Sequence, residues 1–211
     1  MNFPLDIHAH HTVVSGSAII NCYPETFSES AEGWFSVGIH PWKIDAYGMQ
    51  LPYSRLRSLL VRKEVVAIGE TGLDKLCQVS LDKQEMVFRR HIELAEEVGK
   101  PVILHVVKAI DELLRLKKQL RPSTPWIIHG FRGKSAQARQ LLSHGLSLSF
   151  GALYHPESLQ VTPVNRLFFE SDEAGVSVTE LIARAALLRN VPAEKLTEIV
   201  RQNVKRVFFA S

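Results

Sequence analysis

Short apolar runs recur along the chain, each ending in polar residues or glycine: Leu5 to His10, Ala18 to Cys22, Trp34 to Ile39, Val65 to Glu70, Pro101 to Val106, Trp126 to His129, Leu146 to Phe150 and Arg166 to Glu170. These are eight candidate strands. Their β-branched, apolar character lacks clean polar alternation, which suits parallel strands buried on both faces. Helical periodicity fills several of the gaps. Ser80 can cap a helix to about Val98, with Leu81, Val87, Phe88, Ile92, Leu94, Ala95 and Val98 on its apolar face and Gly99 as the stop. Further helices are predicted over Tyr53 to Arg62, Ala109 to Leu120 and Ser135 to His144. A capping box, Ser177-Val178-Thr179-Glu180, opens another that runs to about Asn190, and Pro192 suits the first turn of a last helix to about Phe208.

Strand followed by helix, repeated, predicts a parallel sheet with right-handed crossovers, and eight strands predict an α/β fold closed as a TIM-type (β/α)₈ barrel. An open doubly wound sheet is the alternative, but no Gly-x-Gly-x-x-Gly or phosphate-loop pattern follows an early strand. Some crossovers are short. Seven residues, His11 to Ser17, separate the first two strands, and eleven separate the second from the third. A parallel crossover ordinarily takes about a dozen or more. The connection from Gly151 to Asn165 also lacks a strong helical period, so the barrel is expected to be abridged early and late. Missing outer helices would leave apolar strand surface uncovered, which predicts self-association as a homo-oligomer through that side.

The 211 residues suit one domain, 1–211. The formal charge of +3 is too small to indicate nucleic-acid binding by itself. Cys22 and Cys77 form neither a Cys-x-x-Cys pair nor a disulfide framework, which points to a reducing compartment. No run reaches the roughly 18 apolar residues of a membrane span. A cytoplasmic protein without membrane contact is expected.

Nine histidines change the picture, because histidine is commonest where protons or metals are handled. On a strand, Asp6, His8 and His10 share one face, with the two histidine Cα atoms ~6.5 to 7 Å apart. Active sites of α/β barrels are built at the C-terminal strand ends. The polar residues at those ends are His8, His10, Glu70, His105, His129 and Asp172. Any one of them could be a satisfied core histidine or a capping carboxylate. Six ionisable groups buried together without a cation would each cost some kcal/mol, and a cation offsets that. Six ligands exceed what one catalytic ion needs, so two divalent ions are expected, Zn, Mn, Mg, Fe, Co or Ni. The division places His8, His10 and Asp172 on one ion, His105 and His129 on the other, and Glu70 between them. Such a centre acidifies a water for attack, and Asp172 can accept its proton.

Seven segments, in this order, make the chain resemble the TatD-like metal-dependent hydrolases: Asp6-Ile7-His8-Ala9-His10, Val37-Gly38-Ile39-His40-Pro41, Ile68-Gly69-Glu70-Thr71-Gly72-Leu73-Asp74, Pro101-Val102-Ile103-Leu104-His105, His129-Gly130-Phe131, Glu170-Ser171-Asp172 and Asn203-Val204-Lys205-Arg206-Val207-Phe208. The resemblance implies a TIM-type barrel, the same six metal ligands, and hydrolysis of phosphodiesters, in several members as deoxyribonucleases. There are departures. Where the family has an arginine two residues after the histidine matching His105, this chain has Val107, then Lys108. The stretch Lys75-Leu76-Cys77-Gln78 lacks the family's aromatic residues, Glu173-Ala174-Gly175 follows Asp172, and Gly130 and Arg132 replace a cysteine and a serine. With Val107 in that place the family's phosphate contact is lost; Lys108 and Arg132 are candidate substrate contacts, and Arg132 restores a cationic phosphate contact because a guanidinium matches phosphate oxygens. His40 is a candidate substrate or supporting residue. DNA is the leading substrate class. A small amide, lactone or phosphoester is the alternative, and a metal-bound scaffold without turnover is a third reading.

Overall fold

A computed structural model describes residues 3–11, 16–48 and 50–210. Part of the first predicted connection, residues 12–15, lies outside them. Eight strands are present: β1 (Asp6–Ala9), β2 (Ala18–Cys22), β3 (Trp34–Val37), β4 (Val65–Asp74), β5 (Val102–Val107), β6 (Trp126–Ile128), β7 (Ser147–Phe150) and β8 (Leu167–Phe169). They follow one another in sequence order as a closed parallel barrel. Seven helices accompany them: α1 (Tyr53–Leu60), α2 (Leu81–Val98), α3 (Ile110–Leu120), α4 (Ser135–Ser143), α5 (Pro156–Val161), α6 (Val178–Arg189) and α7 (Ala193–Phe208). Among the described residues no helix lies between β1 and β2 or between β2 and β3, as the short connections predict. The late crossover keeps only α5 and a 3₁₀ turn, Val164–Arg166. No helix among the described residues is long and apolar enough to cross a membrane.

The helix ends follow local chemistry, with two corrections. Gly99 closes α2 in the left-handed conformation, φ 68°, its N–H bonded to the Ala95 carbonyl. Ser177 caps α6, its hydroxyl accepting from the Glu180 amide at 3.2 Å. Ser80 stands at the N-cap of α2 but makes no side-chain cap bond. Pro192 precedes α7 as its N-cap residue and does not enter the first turn.

The chain forms two compact units, one from Asn21 to Trp126 and the other made of the segments flanking it. Within Asn21–Trp126, β3 pairs with β4 through Phe35↔Val65, Ser36↔Ala67 and Val37↔Ile68. All ten residues of β4 are buried. The α2 face packs over the sheet, with Phe88 edge-on to Trp126 at 5.3 Å between ring centroids. The Lys100 ammonium accounts for three carbonyls, of Leu60, Arg62 and Val65, and so ties the end of α1 to the start of β4. In the flanking unit, Asp6 pairs with Ala18 and with Phe169, and Leu148, Ser149 and Phe150 run beside Leu167, Phe168 and Phe169. Phe208 of α7 meets Phe168 at 6.0 Å and 90°, and the Asn203 amide donates to the Val164 and Leu167 carbonyls.

His91 of α2 is fully buried in this architecture. Its Nδ1–H donates to the Val87 carbonyl at 2.8 Å, which leaves Nε2 to accept the Ile39 amide at 3.0 Å. The end of β3, just before His40, is therefore held by a neutral imidazole. Burial pushes the His91 pKa down from 6.5 to about 4, only partly opposed by the Val87 bond. Below pH 6.5 the unfolded chain takes up a proton that the folded one refuses until about pH 4, so stability falls as pH drops through that window. The full difference is ~3 kcal/mol. Denaturant titrations of wild type and His91→Gln from pH 7 to 4 check this: the wild type should lose stability more steeply, and parallel slopes would refute it.

Candidate metal centre

The end of β4 extends beyond Glu70 because Gly72 lets it press against β5. Gly72 pairs with His105, at φ +151°, and a Cβ there would stand 1.9 Å from the His105 carbonyl oxygen. Glu70 and Asp74, four residues apart on one strand face, therefore flank the His105 ring. His105 Nε2 lies 3.0 Å from Asp74 Oδ2 and Nδ1 lies 3.0 Å from Glu70 Oε1. Asp74 is held in turn. Its Oδ2 accepts the Trp42 indole N–H at 2.7 Å and its Oδ1 the Leu76 amide at 2.8 Å, while Gln84 clasps its backbone on both sides. Burial would raise the Asp74 carboxyl, but the bonds from His105, Trp42 and Leu76 outweigh it and hold the group below its ordinary value.

Both ring nitrogens of His105 therefore face carboxylate oxygens, one on an ionised Asp74 that can only accept and one on Glu70. His40 completes the group. Its Nδ1 accepts the Trp42 backbone amide at 3.1 Å, capping a 3₁₀ turn over Pro41–Tyr47, and its Nε2 approaches Glu70 Oε1 at 3.4 Å. The Glu70 amide is itself anchored on buried Asn21 at 2.8 Å.

The second group lies in the flanking unit, on β1 and the exit of β8. Asp172 is locked to β1 by two backbone bonds, its N–H to the His8 carbonyl at 3.0 Å and its carbonyl to the His10 N–H at 3.3 Å. It adopts φ 53°, a left-handed conformation that asparagine and aspartate tolerate better than most residues. His8 and His10 aim Nε2 at the same oxygen, Asp172 Oδ1, at 3.8 and 3.5 Å. Beneath them Asp6 accepts from the Ser171 hydroxyl at 2.6 Å, the Ser171 amide at 3.1 Å and the His8 amide at 3.2 Å. Burial nevertheless pushes Asp6 up to about 7. Glu170 is fully buried, and its Oε1 takes the Gly130 amide at 2.6 Å and His129 Nδ1 at 3.2 Å. Burial raises that carboxyl too, but His129 and His8 beside it bring it below its ordinary value.

Of the six predicted ligands, His8, Glu70 and His105 lie within β1, β4 and β5, and His10, His129 and Asp172 follow β1, β6 and β8. Three of them, His8, His10 and Asp172, offer ligand atoms within 4.8 Å of one another, and His40, Glu70 and His105 do the same. The donor sets, imidazole with carboxylate, fit a divalent cation. Of the predicted substrate contacts, His40 is buried against Glu70, whereas Lys108 and Arg132 are exposed, Lys108 at φ 51°. Four supporting residues were not assigned roles from sequence: Asp6, Trp42, Asp74 and Glu170. His144 and His155 are exposed and serve as helix-cap residues of α4 and α5.

A parallel barrel with histidine and carboxylate groups at its strand ends defines a metal-dependent hydrolase. A family model described as TatD related DNase matches residues 19–209, and the chain belongs to that family. It is 30% identical over 196 residues to the uncharacterized metal-dependent hydrolase YabD of Bacillus subtilis, covering 82% of this chain and 76% of that protein. It is 32% identical over 177 residues to the 3'-5' ssDNA/RNA exonuclease TatD of Cronobacter sakazakii, covering 79% and 67%. Among solved structures, the TatD homolog YjjV from Escherichia coli superposes with a TM-score of 0.83 at 20% identity over 100% of this chain and 99% of that one, which shows the shared fold.

Proposed function

We propose that this chain is a two-metal phosphodiesterase acting on nucleic acid, with single-stranded DNA as its leading substrate. His8, His10 and Asp172 would hold one ion, His105 and His129 the other, with Glu70 shared between them. The observation that carries the reading is the convergence of His40, Glu70 and His105, whose ligand atoms lie within 4.8 Å of one another, with Asp74 braced behind the His105 ring. When bound, the ions would acidify a water and polarise the scissile phosphodiester. The protein's own groups do the rest. Asp74 and Glu170 orient His105 and His129, the outer-shell role that sustains metal affinity. Asp6 and the two backbone bonds hold Asp172 where it can accept a proton from the attacking water. His40 Nε2, 3.4 Å from Glu70 Oε1, helps to position that carboxylate. Lys108 and Arg132 are exposed cations that can meet the phosphates of the flanking strand. The relatives named as ssDNA/RNA exonucleases support the substrate class.

Nucleotide release from single- and double-stranded DNA, with magnesium, manganese or zinc supplied in turn, tests this. Metal-dependent release that Asp172→Asn reduces by at least about 10²-fold is expected, in line with loss of a positioned proton acceptor. Metal binding without release from either DNA would move the reading to a small phosphoester, amide or lactone.

A further inference from the structure

The mouth of the site carries two large apolar side chains that the hydrolytic machinery does not use. Trp42 is 62% exposed and Leu76 66% exposed, and with Asp45, Cys77, Gln78 and Val79 they line a cavity of about 420 Å³. Apolar side chains left exposed together around a cavity are a surface that a ligand can cover. Trp42 is also fixed in place. Its indole N–H is bonded to the same Asp74 oxygen that faces His105 Nε2, and its ring centroid lies 4.9 Å from His40 and 5.7 Å from His105. The bond engages the ring edge and leaves a face of the indole open. A flat, pre-oriented aromatic face next to a phosphodiester-cleaving centre is what a nucleobase stacks on.

We infer that Trp42, with Leu76 beside it, forms a base-stacking subsite for a nucleoside flanking the scissile phosphodiester. Because stacking is tolerant of base identity, the site favours a base over its absence and does not read sequence. This inference rests on the nuclease reading above for the substrate, and on Trp42 alone for the contact.

Two measurements on the metal-loaded protein separate them. Deoxyadenosine monophosphate should quench indole fluorescence in the wild type, deoxyribose phosphate should not, and the quenching should vanish in Trp42→Phe, whose remaining indoles are Trp34 and Trp126. In turnover, the dinucleotide d(ApA) should show a KM about tenfold below that of its doubly abasic analogue. That ratio should collapse toward one in Trp42→Ala and persist in Trp42→Phe, which keeps an aromatic face but loses the bond to Asp74. Equal KM values for the two dinucleotides in the wild type, or absence of quenching, would overturn the subsite while leaving the nuclease reading intact. Quenching without cleavage of either dinucleotide would support the base-binding face and overturn the nuclease reading.

Discussion

Glu70→Gln is expected to cut turnover by about three orders of magnitude and to lower metal content, with the fold retained. The amide keeps the volume of the side chain but not its charge. In the wild type one oxygen, Oε1, faces both His105 Nδ1 and His40 Nε2. Glutamine can offer His40 an oxygen or His105 an N–H, but it cannot supply the anion that a cation requires. Loss of roughly 4 kcal/mol of charge stabilisation in the transition state corresponds to the expected fall in kcat. Because glutamine keeps the shape and the polar contacts of the side chain, the melting temperature should stay within a few degrees of wild type. Elemental analysis and steady-state kinetics on the same preparation decide it. Full activity with full metal content would remove Glu70 from the site.

The second large effect is expected at a residue that touches no ion. Asp74→Asn should weaken metal affinity about 10- to 100-fold, the range seen when the carboxylate behind a ligating imidazole is lost. Aspartate accepts from His105 Nε2, from Trp42 Nε1 and from the Leu76 amide. An asparagine in its place can turn either its oxygen or its NH₂ toward His105, so the ring loses the carboxylate that fixes its orientation. Competition against a chelating indicator measures the change. An affinity equal to that of the wild type would show that His105 orients without Asp74.

The strands were legible because parallel β-strands buried on both faces read as plain apolar runs, and the histidines at their ends stood out against that background. Asp74 was hidden for the same reason. Glycine reads as a strand breaker, so the apolar run seemed to stop at Glu70, whereas Gly72 is what allows β4 to continue against β5 as far as Asp74. Once the strand is extended, the period of two places Glu70 and Asp74 on one face. Trp42 was missed because it follows a proline and reads as loop. Its role depends on His40 capping the turn and on Asp74 from another strand, contacts distant in sequence. Glu170 lay inside a recognised segment, but only the packing reveals that it binds both His129 and the Gly130 amide. Lys108 and Arg132 show the opposite pattern. Their charge was easy to see in the sequence, yet the fold leaves both exposed, so their part in binding rests on the substrate reaching them.

The abridged connections also follow from simple accounting of chain length. Seven residues between the first two strands cannot form a crossover helix, and among the described residues none is found there. The barrel closes nonetheless, because all eight strands are kept where the connections between them are short.

Metal stoichiometry after reconstitution tests the central claim most directly. Two divalent ions per chain are expected in the wild type, and one in each of Asp172→Asn and His105→Gln, because each substitution strips a ligand from a different ion. A wild type that holds no ion, or variants that both keep the full complement, would contradict the two-metal centre.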